Sequence, residues 1–138
     1  MTPDFEPVAP DEFLIRCVWH DYYDPAVPVP VLARAFLPRK DETDGISVFR
    51  LACVSTAEDV LAVFAADKRD GYALALLPFA VLIGMGLTVT PASISTVAGH
   101  AVIQEMNVDR CKADKKWCDG IRQQLAVLAS MNVIRLPN

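Results

Sequence analysis

Four side chains of this 138-residue chain could meet to do chemistry: Arg16, Ser47, His100 and Glu105. A guanidinium grips a phosphate through two parallel hydrogen bonds, and a carboxylate can orient a ribose hydroxyl. Arg16 lies in FLIRCVW (13–19), Ser47 in ISVFRLACV (46–54), and His100 and Glu105 in HAVIQEM (100–106). All three runs read as strands, rich in β-branched and aromatic residues. The four residues form the candidate catalytic set. The opposing reading leaves Arg16 and Glu105 on the solvent side of their strands and packs Ser47 at a strand edge.

Other groupings carry less chemistry. His20, Asp21 and Asp24 in HDYYD combine an imidazole with carboxylates, but a polar loop with Asp-Pro reads more simply as turn capping. Cys111 and Cys118 stand seven positions apart, two helical turns, without the short spacings of a zinc site. GMG (84–86) lacks the strand and helix around a phosphate loop. No metal and no cofactor is expected.

The elements that must position these residues are framed by a long apolar run. From Gly71 to Gly99 there is no charged side chain. Pro78, Gly84 and Gly86 break the run, which argues for a buried core and against a membrane span. YALALL reads as a buried strand, FAVLIGMG as a short helix and LTVTP as a further strand. Ser55 and Glu58 match a capping box opening a helix that ends at Asp70-Gly71. VLARAFLP (31–38) is open between strand and helical turn, and RKDETDG (39–45) is a charged turn. Asn107 can cap a last helix over 110–131, with Trp117, Ile121, Leu125, Leu128 and Met131 along one stripe.

Residues 1–11 hold three prolines and three acids and read as a flexible tail, leaving 12–138 as one globular domain. The expected class is α+β: a mixed or antiparallel sheet of about six short strands, two main helices and a short helix. With a net charge of −4 the chain is not expected to bind nucleic acid. An acidic N-terminus without a signal peptide, and four cysteines without a CxxC pair, suggest reduced thiols in the cytoplasm.

RAFLPRKDETDGISVFR, GLTVTP and GHAVIQEM together resemble a group of short bacterial proteins of unassigned function. Their pattern is a turn with GxSVxR, then GLxVxP, then GHAxI, matched here over residues 13–106. That resemblance implies a small single domain and no particular activity. The order Arg16, Ser47, then His100 or Glu105 is also similar to the ADP-ribosyltransferase and RNA 2′-phosphotransferase-like folds. It implies an enzyme gripping NAD or another nucleotide, although the Gly-Thr that would follow the first-strand Arg is missing.

The apolar fraction is 53%, slightly above that of ordinary soluble domains. Taken with the C-terminal stripe, it suggests an accessory or interaction module that associates with another protein or with itself. Trp117, Ile121, Leu125 and Leu128 are then the candidate partner-binding residues, unless they pack on the domain's own sheet. The nucleotide-binding enzyme is the alternative.

Overall fold

A computed structural model describes residues 1–138 except Ser95. It shows one α+β domain around a single antiparallel sheet. The six strands are β1 (Phe13–Trp19), β2 (Ile46–Arg50), β3 (Tyr72–Pro78), β4 (Val89–Pro91), β5 (His100–Ile103) and β6 (Val133–Arg135). Their spatial order is β4-β5-β2-β1-β3-β6, with every neighbouring pair antiparallel.

Alternation along the strands sorts side chains between two faces. Leu14, Val18, Ile46, Val48, Ala73, Ala75 and Ala101 enter the larger core. That core is closed by helices α1 (Phe79–Gly84), α2 (Val108–Ala113) and α3 (Lys115–Ser130). On the other face Ile15, Phe49 and Leu74 meet Val60, Leu61 and Val97 in a smaller cluster. The apolar run after Gly71 is thus divided among β3, α1 and β4. Among the described residues no helix is long and apolar enough to cross a membrane.

Three local expectations are corrected. The helix expected after Ser55 is instead two 3-10 segments, Ala57–Val63 and Ala66–Gly71. Its cap is Thr56, whose hydroxyl and backbone N–H both donate to the Asp59 carboxylate at 3.0 Å. Between the segments Phe64 is extended, and its ring stacks on Tyr72 at 3.8 Å. Tertiary packing outweighs the helical pattern there.

The C-terminal helix is interrupted at Asp114, whose carboxylate accepts from the Trp117 N–H and caps α3. Asn107 caps α2 through the Arg110 N–H. In one continuous helix Cys111 and Cys118 would stand about 10 Å apart, too far for a disulfide. The break brings their Cα atoms to 5.2 Å and the two are disulfide-bonded. The expectation of four reduced thiols is thus corrected for this structure: Cys111 and Cys118 are paired, and among the described residues Cys17 and Cys53 are the free cysteines.

Residues 1–11, expected as a loose tail, are strapped to the sheet. The Thr2 N–H donates to the Ala52 carbonyl, and Arg50 holds the carbonyls of Asp4, Glu6 and Pro7. Arg50 has no solvent exposure and clasps both carboxylate oxygens of Glu12 at 2.8 Å. A buried guanidinium demands such partners, and the backbone carbonyls of the strap supply what the sheet does not.

Gly45 opens β2 at φ +130°, where a Cβ would lie 2.3 Å from the carbonyl oxygen of Ile103. That contact is with backbone and cannot be relieved by a rotamer change. Gly45→Ala is expected to lower stability by about 1–3 kcal/mol from strain alone, read by chemical denaturation. An unchanged midpoint would show that β2 enters the sheet by another path.

Candidate active site cleft

Pairing between β1 and β2 covers only Leu14 with Arg50 and Ile15 with Phe49. Beyond Ile15 the two strands share no ladder pair, although β1 continues to pair with β3 through Trp19. Arg16 fills this opening. Its Nη1 donates to the Ser47 carbonyl at 2.6 Å, and Nε and Nη2 donate to the Ala35 carbonyl. The guanidinium satisfies the Ser47 carbonyl, which a ladder would otherwise use, and that of Ala35 in the 3-10 turn Ala33–Phe36. Among the described residues these three bonds leave two of its five N–H donors uncommitted.

A cleft of about 380 Å³ lies at the opening, and Arg16, Ser47 and His100 all line it. Ser47 and His100 come together through register. Ser47 is opposite Val102 and Phe49 is opposite His100, which makes Ser47 and His100 a diagonal cross-strand pair on one face. Their Oγ and Nε2 atoms are 3.0 Å apart. The other imidazole nitrogen, Nδ1, is 2.5 Å from the Ala92 carbonyl. A carbonyl only accepts, so Nδ1 carries a proton. In the neutral ring Nε2 is then an acceptor, and the Ser47 hydroxyl donates to it.

Gly99 prepares this geometry. It adopts φ +84°, its carbonyl accepts from the Arg50 N–H, and a Cβ there would stand 2.7 Å from that of Cys53. The chain therefore enters β5 tight against β2, with His100 as its first residue. Phe49 flanks the imidazole at 5.4 Å between ring centroids.

The carboxylate that reaches the cleft is Glu42, not Glu105. Glu42 accepts from the backbone N–H groups of Arg39 and Ser47 at 3.0 and 3.3 Å. Its negative charge favours the charged form of Arg16, against the burial that pulls that guanidinium below its ordinary value. Glu105 does not line the cleft. The β5 ladder stops at Ile103, and Glu105 instead accepts from the Thr88 N–H at 2.6 Å. The expected strand through residue 106 ends early because Met106 turns back into the core, fully buried.

Aromatic side chains and arginines complete the lining. Trp19 and Tyr72 lie 4.9 Å apart between centroids, next to Phe64. Arg34 and Arg39 are exposed at the cleft, Arg34 over the Tyr22 ring at 5.8 Å. Among the described residues neither forms a salt bridge. Burial pushes the Cys17 thiol up to about 12, so it stays protonated and is a poor nucleophile. Burial likewise raises the Tyr72 hydroxyl.

Glu42, Arg34, Arg39, Trp19 and Tyr72 were not among the residues singled out from the sequence. For Glu42 and Arg39 the available signal was their place in the charged turn just before Gly45 and Ser47. The HDYYD loop does not gather a metal site. Asp24 accepts from the Ala26 N–H, an ordinary Asx turn, and His20 meets the Asp21 carboxylate and the Trp19 ring.

The proposed partner-binding stripe is also corrected. Ile121 is 6% exposed and Leu125 fully buried, both within the main core, and Trp117 and Leu128 pack partly buried against it. A helix beside an open sheet face covers that face first, because the apolar area to be buried is its own. Trp117 also carries Arg110 over its ring at 3.9 Å. Compared with known families, curated proteins and solved structures, the chain matches none.

Proposed function

We propose that this cleft binds a small anionic ligand with a planar ring, of the nucleotide class, with NAD among the candidates. The supporting observation is the sharing of one cavity by three guanidiniums, Arg16, Arg34 and Arg39, with an aromatic wall and the Ser47–His100 pair. Guanidiniums without carboxylate partners suit phosphate oxygens, and ring faces suit a base. The residues that build the cleft include Gly45, Ser47, Gly99 and His100 of the pattern resembling short bacterial proteins. That kinship is proposed here on the sequence pattern.

Thermal unfolding with AMP or NAD tests the reading. A ligand at 100 times its dissociation constant adds about 2.7 kcal/mol of stability. Arg34→Ala with Arg39→Ala should reduce that stabilisation, since each charged hydrogen bond contributes about 1.5–3 kcal/mol. No shift in the melting temperature with either ligand at millimolar concentration would sink it.

An accessory or interaction module is the second reading, favoured now by the exposed Val81 and Ile83 of α1 at 44% and 46%. Light scattering behind size-exclusion chromatography distinguishes it, since a strict monomer without a copurifying protein counts against a module. The cytoplasmic location belongs with these proposals. There, Cys111 and Cys118 would be held as thiols, and thiol titration of protein from its native host decides between four free cysteines and two.

A further inference from the structure

We propose that Ser47 is a nucleophile, activated by His100, and that it takes a phosphoryl group from a phosphomonoester bound in the cleft. The inference rests on the anionic-ligand reading above and assigns chemistry to the same site. Its basis is a relay of three groups. The Ala92 carbonyl fixes the Nδ1 proton of His100, Nε2 accepts, and the Ser47 hydroxyl donates to it at 3.0 Å. A serine hydroxyl is a weak nucleophile by itself, and a base oriented by a third group is the arrangement that activates it.

A serine bonded to a histidine for packing alone would need no opening in front of it. Here the pair lines a cavity. Arg16 is bonded to the Ser47 carbonyl, and its two uncommitted donors belong to the same guanidinium. That guanidinium is immobilised before any ligand arrives, so it can meet charge on phosphoryl oxygens without reorganising. The cleft also contains two acids. Asp41 is exposed, and Glu42 turns both oxygens to the Arg39 and Ser47 amides. Three guanidiniums outnumber them. Cys17, the other candidate nucleophile of the cleft, is excluded by its protonated thiol.

In the first step the Ser47 Oγ–P bond forms as the bond from phosphorus to the leaving oxygen breaks. The Ser47 proton passes to His100 Nε2 and then to the leaving oxygen, releasing an alcohol. In the second step a water oxygen bonds to phosphorus and the Oγ–P bond breaks. The water proton returns through Nε2 to Ser47 Oγ, and inorganic phosphate leaves. Electrons and protons balance with water as the sole co-reactant.

The test uses the full chain and two probes. A fluorophosphonate, a phosphorus electrophile that loses fluoride, is expected to add once to the wild type, at Ser47 by peptide mapping. Ser47→Ala should take no label. His100→Gln, which stays polar but supplies no base, should label about 100-fold more slowly or worse, with a melting curve confirming that it is folded. p-Nitrophenyl phosphate should release p-nitrophenolate and leave a phosphoryl adduct on acid-quenched wild type alone. An unlabelled Ser47, equal labelling of His100→Gln, or no phenolate release from wild type each overturns the inference. Stabilisation by AMP without labelling would retain the ligand reading and remove the nucleophile. Labelling that AMP does not slow would remove the nucleotide reading and keep Ser47 as nucleophile.

Discussion

Arg50→Ala is expected to lower folding stability by about 3–5 kcal/mol, the largest single effect we anticipate. Removing one partner from a buried ion pair leaves the other charge uncompensated, and the lost contacts are unusually many. Arg50 makes two bonds to Glu12 and three to carbonyls of the N-terminal segment. Chemical denaturation would measure the loss, and limited proteolysis should cut residues 1–11 sooner in the variant. A change below about 0.5 kcal/mol, typical of surface positions, would mean that the clasp is dispensable.

The same pair carries a pH signature. The Arg50 hydrogen bonds hold the Glu12 carboxyl below its ordinary 4.5, despite burial that pushes the other way. A depressed acid stabilises the fold above its unfolded value and loses that contribution as pH falls through the folded value. The wild type should therefore lose this contribution below about pH 4.5, and Glu12→Gln should lack that part of the acid limb. A parallel acid limb in both proteins would refute the assignment.

Leu125→Ala is expected to cost about 2–5 kcal/mol through the cavity it leaves in the main core. Leu125 is fully buried, whereas Met131, at the end of the same helix, is 74% exposed. Met131→Ala should stay within about 0.5 kcal/mol, which makes it the control. Neither variant should alter the association state. If Leu125→Ala weakened association while leaving unfolding untouched, the stripe would be an interface after all.

Strand identity and chain breaks were legible locally. The alternation of FLIRCVW and the apolar YALALL ended by Pro78 correspond to β1 and β3, and Asn107 does cap a helix, although it is the short α2, with Asp114 capping the long one. These features depend on a few neighbouring residues, so periodicity and capping chemistry carry them. β6 was not read from the sequence: its three residues follow the helical stripe almost directly, without a glycine between such as the Gly86 that precedes β4.

Residue types alone also brought Arg16, Ser47 and His100 into one candidate set, but their meeting is tertiary. Ser47 and His100 are 53 positions apart, and Arg16 and the Ser47 carbonyl 31. What joins them is the register of β2 on β5 and the point where the β1–β2 ladder stops. The charged turn before Gly45 brings Glu42 to the Ser47 amide, while β5 ends at Ile103 and Glu105 turns to the Thr88 amide. Cys111 and Cys118 pair because one helix breaks at Asp114, and Arg50 recruits the N-terminal segment because its buried charge must find oxygens. Local sequence sets which elements form. Which side chains face one another is decided by register, strand length and the satisfaction of buried charge, and those are properties of the assembled sheet.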